Sequence, residues 1–336
     1  MTDTGPATPT APTALLEASD LVKHYRLRRR WWPGSPGTLV RAVDGVSLRI
    51  GARSTFGLVG ESGCGKTTLG RLLLRLEQPT AGRIAFAGED WLAKHGSTLR
   101  AARKHIQAVF QDPLGSLDPR RTAAQAICEA LAAHGLGADA TGRAARAAEL
   151  LDLVGLPTDA GRRYPHELSG GQRQRVTIAR SIAVEPKFIV CDEAVSALDV
   201  SVQAQIINLL SDLQDSVGMS YLFISHNLAT VRHLADTIGV MYLGRIVEQA
   251  PADQIFAAPA HPYTEALLAA VPVPDPAARA PARLAGDPVS ATSLPSGCRF
   301  RLRCPRADAI CAEQEPLLAP LAGSAGRQAA CHFPAT

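Results

Sequence analysis

The segment Gly60-Glu61-Ser62-Gly63-Cys64-Gly65-Lys66-Thr67-Thr68 constrains this chain more than any other. It follows the apolar run Thr55-Phe56-Gly57-Leu58-Val59 and precedes Leu69, Leu72, Leu73 and Leu76, whose i, i+3, i+4, i+7 spacing predicts an amphipathic helix. Strand, glycine-rich loop and helix in that order fit G-x-x-x-x-G-K-S/T, the P-loop. Its glycines let consecutive N–H groups converge on phosphate oxygens at a helix N-terminus carrying partial positive charge. In such a loop Lys66 reaches the β and γ phosphates and the Thr67 hydroxyl takes a Mg²⁺ position. A P-loop specifies nucleotide phosphates and no more, so the rest of the chain must supply the function.

A length of 336 residues exceeds one typical domain, and 46% hydrophobic residues suffice for a sizeable core. With 35 basic and 31 acidic residues the net charge is +4, and no block of like charge suggests a nucleic-acid arm. No apolar window is long enough to span a bilayer. The Pro- and Thr-rich start, Met1 to Ala14, lacks a signal-peptide pattern and is expected to be a disordered tail on a cytosolic chain.

Strand-like runs follow at Leu15 to Ala18, Leu21 to Tyr25, Leu39 to Val43 and Val46 to Ile50. Between them, Arg28-Arg29-Arg30-Trp31-Trp32-Pro33-Gly34 mixes cations with aromatics, as either a solvated hairpin loop or a contact for lipid headgroups or a membrane partner. Arg83 to Phe86 and Ile106 to Phe110 read as strands, the latter leading to Gln111-Asp112-Pro113. Ala-rich helical spacing from about Ala123 to Leu156, broken at Gly135 and Gly137, predicts a helical insertion.

Leu168-Ser169-Gly170-Gly171-Gln172 opens a helix through Ile182, with Ser169 and Gln172 at capping-box spacing. It is either an ordinary capped helix or a second phosphate-binding helix end. Phe188-Ile189-Val190-Cys191 is continuously apolar, as a strand buried on both faces must be, and ends in Asp192-Glu193. Alternation along a strand would point these carboxylates to opposite faces, Asp192 toward Mg²⁺ and Glu193 toward a water. A turn at Ser196 to Asp199 leads into a helix with Ile206, Leu209, Leu210 and Leu213 on one face, ending near Gly218. The strand Ser220 to Ile224 ends in Ser225-His226, and Thr237 to Tyr242 and Arg245 to Glu248 complete the sheet.

The P-loop, Gln111, Leu168 to Gln172, Asp192-Glu193, Asp199 and His226, in that order, resemble the ATP-binding cassette family of transport ATPases over residues of about 17 to 255. The resemblance implies an α/β fold: a P-loop ABC-type nucleotide-binding domain over residues 15–255 with a mixed sheet, a helical signature subdomain at about 112–184 and a small cysteine-containing C-terminal extension over 256–336. It implies that Tyr25 stacks on adenine and that Gly60, Glu61, Ser62, Gly63, Cys64, Gly65, Lys66, Thr67 and Thr68 hold ATP. Thr67, Gln111 and Asp192 would surround Mg²⁺, Glu193 would polarise the attacking water and His226 would hold the γ-phosphate, making Glu193, His226 and Gln111 the catalytic set. Ser169, Gly170, Gly171 and Gln172 would act in trans on the ATP of a second homologous cassette, identical or not, with Asp199 in the dimer loop.

A narrower resemblance, in Val109 to Arg120 and His261-Pro262-Tyr263 to Leu268, is to the dipeptide/oligopeptide and nickel importer branch. It implies an ATPase at the cytoplasmic face of the membrane, serving two permease subunits and, indirectly, an extracytoplasmic solute-binding protein, with no nucleic-acid partner. A nickel or other small-solute importer is the alternative within the branch; a soluble cassette ATPase of DNA repair or translation is the alternative outside it. Ala194 stands where the branch usually has proline, which removes no catalytic group.

Of seven cysteines, Cys298, Cys304, Cys311 and Cys331 share the Pro-rich C-terminal segment. Four cytosolic thiols in a segment with little core suggest tetrahedral sulfur ligation of Zn²⁺ or an iron–sulfur cluster. The importer resemblance favours a 4Fe–4S cluster over zinc or free thiols; Arg299, Arg301, Arg303 and Arg306 would offset its negative charge or simply form a solvated basic edge.

Overall fold

The computed structural model describes residues 14–27, 38–271, 290–323 and 326–335. Residues 1–13 of the tail expected at 1–14, and the Arg/Trp loop at 28–34, lie outside them, while Ala14 already belongs to the first strand. The strands are β1 (Ala14–Leu27), β2 (Thr38–Gly51), β3 (Thr55–Val59), β4 (Ala81–Phe86), β5 (Glu89–Asp90), β6 (Ile106–Val109), β7 (Phe188–Asp192), β8 (Ser220–Ser225), β9 (Thr237–Tyr242), β10 (Arg245–Pro251), β11 (Ala319–Pro320) and β12 (Gln328–Ala329). The paired short runs expected at the start are instead two long strands, β1 and β2, antiparallel, with the register shifted at bulges such as that between Ala18 and Leu21.

Every residue of β3, β7 and β8 is buried, which explains their lack of polar alternation. Their side chains still alternate between two cores. Leu58, Val190, Leu222 and Ile224 face one cluster; Val59, Ile189, Cys191, Tyr221 and Phe223 face the other. The sheet order is β11-β12-β10-β9-β3-β8-β7-β6, parallel from β9 through β6. The first core packs the antiparallel sheet β2-β1-β4-β5 and the P-loop helix (Lys66–Leu73) on one face. The second packs helices 123–133, 140–153, 170–182 and 200–217 on the other.

The P-loop helix is shorter than its periodicity suggests. It stops at Leu73, Arg75 adopts a left-handed backbone (φ 53°), and Leu76 is left 54% exposed beyond the helix instead of on its buried stripe. The helical insertion forms with its break at Gly135 and Gly137, and helix 200–217 buries Ile206, Leu209, Leu210 and Leu213 as its spacing requires.

The C-terminal segment has little core of its own, and it joins the main one. β12 pairs with β10, through Ala329 and Glu248, and Phe300 stacks edge-on against Tyr242 with centroids 5.3 Å apart. Buried Arg299 bonds Asp44 of β2 and Glu315, while His24 Nε2 lies 2.8 Å from the other Asp44 oxygen. Burial works against the charge of Asp44, but the Arg299 and His24 hydrogen bonds hold its carboxyl below the usual range. A carboxyl whose folded value is depressed adds stability above its unfolded pKa, and that stability is lost as pH falls through the folded value. Arg299→Ala is expected to cost up to about 3 kcal/mol at pH 7, with the gap to wild type narrowing on acidification below about pH 4. Thermal melts at several pH values check this, and a pH-independent gap contradicts it.

Candidate nucleotide site

Because β3, β6, β7 and β8 run parallel, the residues that follow them emerge at one edge of the sheet. Gly60, Gln111, Asp192-Glu193 and His226, scattered in sequence, thereby share one end of the fold.

The loop after β3 is pressed against its neighbours. Gly65 has φ 112°, and a Cβ there would lie 2.0 Å from the carbonyl oxygen of Ala42 in β2. Lys66 is only 4% exposed, and its ammonium donates to the carbonyls of Gly60 (2.7 Å) and Glu61 (3.0 Å). The Thr67 hydroxyl donates to Asp192 Oδ1 at 3.1 Å. Burial raises the Asp192 pKa, more than the Thr67 bond lowers it, so a cation set against this carboxylate would relieve a real cost. A hydroxyl and a carboxylate are hard oxygen donors, which suit Mg²⁺.

Glu193 departs from expectation. It does not continue the strand with its side chain on the opposite face; it turns off β7 in a left-handed conformation (φ 50°) while its N–H bonds the Ile224 carbonyl at 3.0 Å. Its carbonyl accepts from Ser196 Oγ (2.9 Å), and its carboxylate Oε1 stands 3.5 Å from His226 Nδ1. The neighbouring strand thus fixes a backbone strain of the kind that collects at functional sites. His226 is half exposed and Glu193 largely covered, so the pair opens on one side to solvent.

Gln111 is exposed beyond β6, and among the described residues no hydrogen bond joins it to Thr67 or Asp192. Tyr25 is half-buried beside the P-loop helix, where Thr68 and Arg71 face its hydroxyl. Burial and the hydrogen bond to Glu77 raise its pKa. Lys23 lies 5.1 Å from the centre of its ring.

The predicted capping box forms. Ser169 Oγ accepts from Gln172 N–H (3.2 Å) and Gln172 Oε1 accepts from Ser169 N–H (3.0 Å), leaving the Ser169 end exposed. A Cβ on Gly171 would lie 2.5 Å from Val202, so this glycine lets helices 170–182 and 200–217 meet. Asp199 is exposed at the start of the second helix, next to Val200, which is 82% exposed.

One group of site residues escaped the sequence reading. The Tyr263 hydroxyl accepts the Glu61 N–H at 2.9 Å, and Arg303 binds the Glu61 carboxylate through two bonds of 2.8 and 2.9 Å. The only signal was His261-Pro262-Tyr263, read there as a mark of the importer branch.

The C-terminal cysteines are Cys298, Cys304, Cys311 and Cys331. All are free thiols, and among the described residues no three His, Cys, Asp or Glu side chains form a metal-holding group. Burial pushes Cys298 up to about 11 and raises Cys304 and Cys331, so a metal bound there would have to displace their protons. The four nearby arginines all have hydrogen-bond partners, while the charge of Arg306 also acts on Cys304 and Cys331. Arg299 bonds Asp44, Arg301 the Ser296 carbonyl, Arg303 Glu61 and Arg306 Glu265.

Residues 43–196 match the family described as ABC transporter, and residues 247–311 match the oligopeptide/dipeptide transporter, C-terminal region. The chain is 50% identical over 323 residues, covering 95% of itself and 90% of the relative, to the probable peptide ABC transporter ATP-binding protein y4tS of Sinorhizobium fredii. It is 46% identical over 309 residues, 90% of itself and 92% of the relative, to the oligopeptide transport ATP-binding protein OppF of Salmonella typhimurium. Among solved structures it resembles dimeric MJ0796, a bacterial ABC transporter cassette (TM-score 0.62, 25% identity), over 70% of this chain and 98% of that one. It also resembles cbiO1 of Clostridium perfringens, part of the cbiONQ ABC transporter complex (TM-score 0.62, 26% identity), over 73% and 91%.

Proposed function

Since the chain belongs to the ABC transporter family and shares the oligopeptide/dipeptide transporter C-terminal region, we propose that it is the ATP-hydrolysing subunit of a peptide importer. One observation carries the reading: the phosphate loop, Asp192-Glu193 and His226 converge at one sheet edge in a chain whose C-terminal region matches that of peptide transporters.

In this reading Lys66 and the loop amides hold the triphosphate, and Tyr25 stacks on the adenine. Thr67, Gln111 and Asp192 would hold Mg²⁺, which supplies charge neutralisation at the phosphates. Glu193 takes a proton from the attacking water, and His226, beside its carboxylate, steadies the γ-phosphate. Exposed Ser169 and the half-buried Gly170, Gly171 and Gln172 cover the ATP held by a second cassette, and exposed Asp199 and Val200 face that partner. ATP touches both halves only when they are closed, so binding drives closure and hydrolysis releases it.

Among the described residues no helix is long and apolar enough to cross a membrane, and in this reading permease subunits form the pore. A groove of about 600 Å³ lined by Leu76, Arg103, Gln107, Phe110, His134 and Arg180 lies at the β6 edge beside Gln111. It suits a short permease helix at the cytoplasmic face, and an extracytoplasmic binding protein delivers solute to the far side. The C-terminal thiols belong to the same reading as ligands of a 4Fe–4S cluster, with zinc as the competing metal. Cys298 is influenced by the charges of the other three, and backbone N–H groups face the sulfurs of Cys298, Cys304 and Cys331. Iron and acid-labile sulfide in anaerobically purified protein support the cluster; the absence of both rejects it.

Uptake of a labelled dipeptide, a hexapeptide and nickel, compared in cells with and without this chain, tests the proposal. Loss of peptide entry alone supports it; loss of nickel entry alone replaces it with the other branch.

A further inference from the structure

Every hydrogen-bonding part of Glu61 is gripped. Its N–H donates to Tyr263 Oη (2.9 Å), its carbonyl accepts from Lys66 Nζ (3.0 Å), and its carboxylate takes both arms of Arg303 (2.8 and 2.9 Å). Two of these three partners come from the C-terminal region, 202 and 242 residues away in sequence. We propose that Arg303 and Tyr263 are positioning residues of the nucleotide site: they fix Glu61, and through it Lys66, so that the C-terminal region sets the affinity for ATP.

The chemistry requires such a device. Glu61 places a carboxylate inside a loop that must receive a triphosphate, and an uncompensated negative charge there opposes binding. A bidentate guanidinium cancels that charge and fixes its direction at once. The Arg303 side chain is 3% exposed and that of Glu61 29%, so solvent hardly reaches the guanidinium and meets the carboxylate on one side only. The support behind it is rigid: Tyr263 stacks on Tyr242 with centroids 4.7 Å apart, and Phe300 lies 5.4 Å from Tyr263.

His261-Pro262-Tyr263 thereby gains a role beyond starting a helix. Buried Glu248 accepts the N–H groups of Ala260 (2.7 Å) and His261 (2.8 Å), and His261 Nδ1 accepts that of Tyr263 (3.0 Å). Those bonds fix where helix 262–269 begins, and so deliver the Tyr263 hydroxyl to the phosphate loop. Arg306, three residues beyond Arg303, ties the segment to the same helix through Glu265 at 2.7 Å.

The proposal rests on the reading of Gly60 to Thr68 as a phosphate loop. The test measures the ATP dissociation constant, KM and kcat of the full chain. Arg303→Gln is expected to raise the dissociation constant and KM about tenfold, the size of one charge-assisted bond, with kcat at saturating ATP retained. Combining it with Glu61→Gln removes both charges and is expected to recover most of the affinity. Tyr263→Phe keeps the ring and loses the acceptor, and is expected to raise KM a few-fold with the melting temperature retained. Wild-type affinity in Arg303→Gln, or a double variant as weak as the single, overturns the proposal. If Arg303→Gln does not fold, Tyr263→Phe decides, and an unchanged KM overturns it. Failure of the wild type to bind ATP would instead strike at the phosphate-loop reading.

Discussion

Glu193→Gln is expected to slow ATP hydrolysis by about 10²- to 10⁴-fold, the usual contribution of a positioned general base, while ATP remains bound. The amide matches the carboxylate in shape but cannot accept the proton of an attacking water. The left-handed backbone at Glu193, tied to the Ile224 carbonyl, aims the side chain to within 3.5 Å of His226 Nδ1, so the substitution alters chemistry more than placement. Phosphate release measured beside the nucleotide retained on the protein separates the two effects. The expected result is bound, uncleaved ATP; turnover within tenfold of wild type would remove Glu193 from the base role.

Gly65→Ala is expected to lower ATP affinity by about a hundredfold or more and to lower the melting temperature. A backbone at φ 112° already disfavours any side chain, and the added Cβ would meet the Ala42 carbonyl at 2.0 Å and Met241 Cε at 2.8 Å. The carbonyl belongs to β2 and cannot rotate away, so the loop itself must move, carrying Lys66 and Thr67 with it. Gly63→Ala provides the comparison: its φ is 79°, yet a Cβ there meets nothing within 4 Å. Isothermal titration of the two variants should show a much larger loss at Gly65. Equal losses would mean that backbone strain alone, and not the packing against β2, governs the loop.

What could be read from the sequence was local or continuous. The uncharged cores of β3, β7 and β8 are visible because burial on both faces forbids polar alternation, and the box between Ser169 and Gln172 is visible because its partners are three residues apart. Parallel pairing then gathers strand ends into one site, which a reading of separate strands suggests without measuring. What escaped depends on contacts distant in sequence. The turn that takes Glu193 off β7 is held by Ile224 on the next strand. Leu76 continues a helical stripe, yet the chain leaves the helix at Arg75 and exposes it. The arginines near the cysteines carry no mark of their partners: Arg299 and Arg303 bind Asp44 and Glu61, each more than 200 residues away. Four thiols in one core-poor segment suggested a metal site, whereas no metal-holding group forms among the described residues, where burial raises the pKa of Cys298.

The most direct measurement is ATP turnover by the chain reconstituted with its permease subunits and partner cassette in proteoliposomes, recorded together with accumulation of labelled peptide. The predicted result is hydrolysis that rises with peptide-loaded binding protein and moves peptide from the binding-protein side into the compartment that holds the cassettes, with both activities lost in Glu193→Gln. Hydrolysis unaffected by peptide, with no peptide movement at any ATP concentration, would contradict the importer reading.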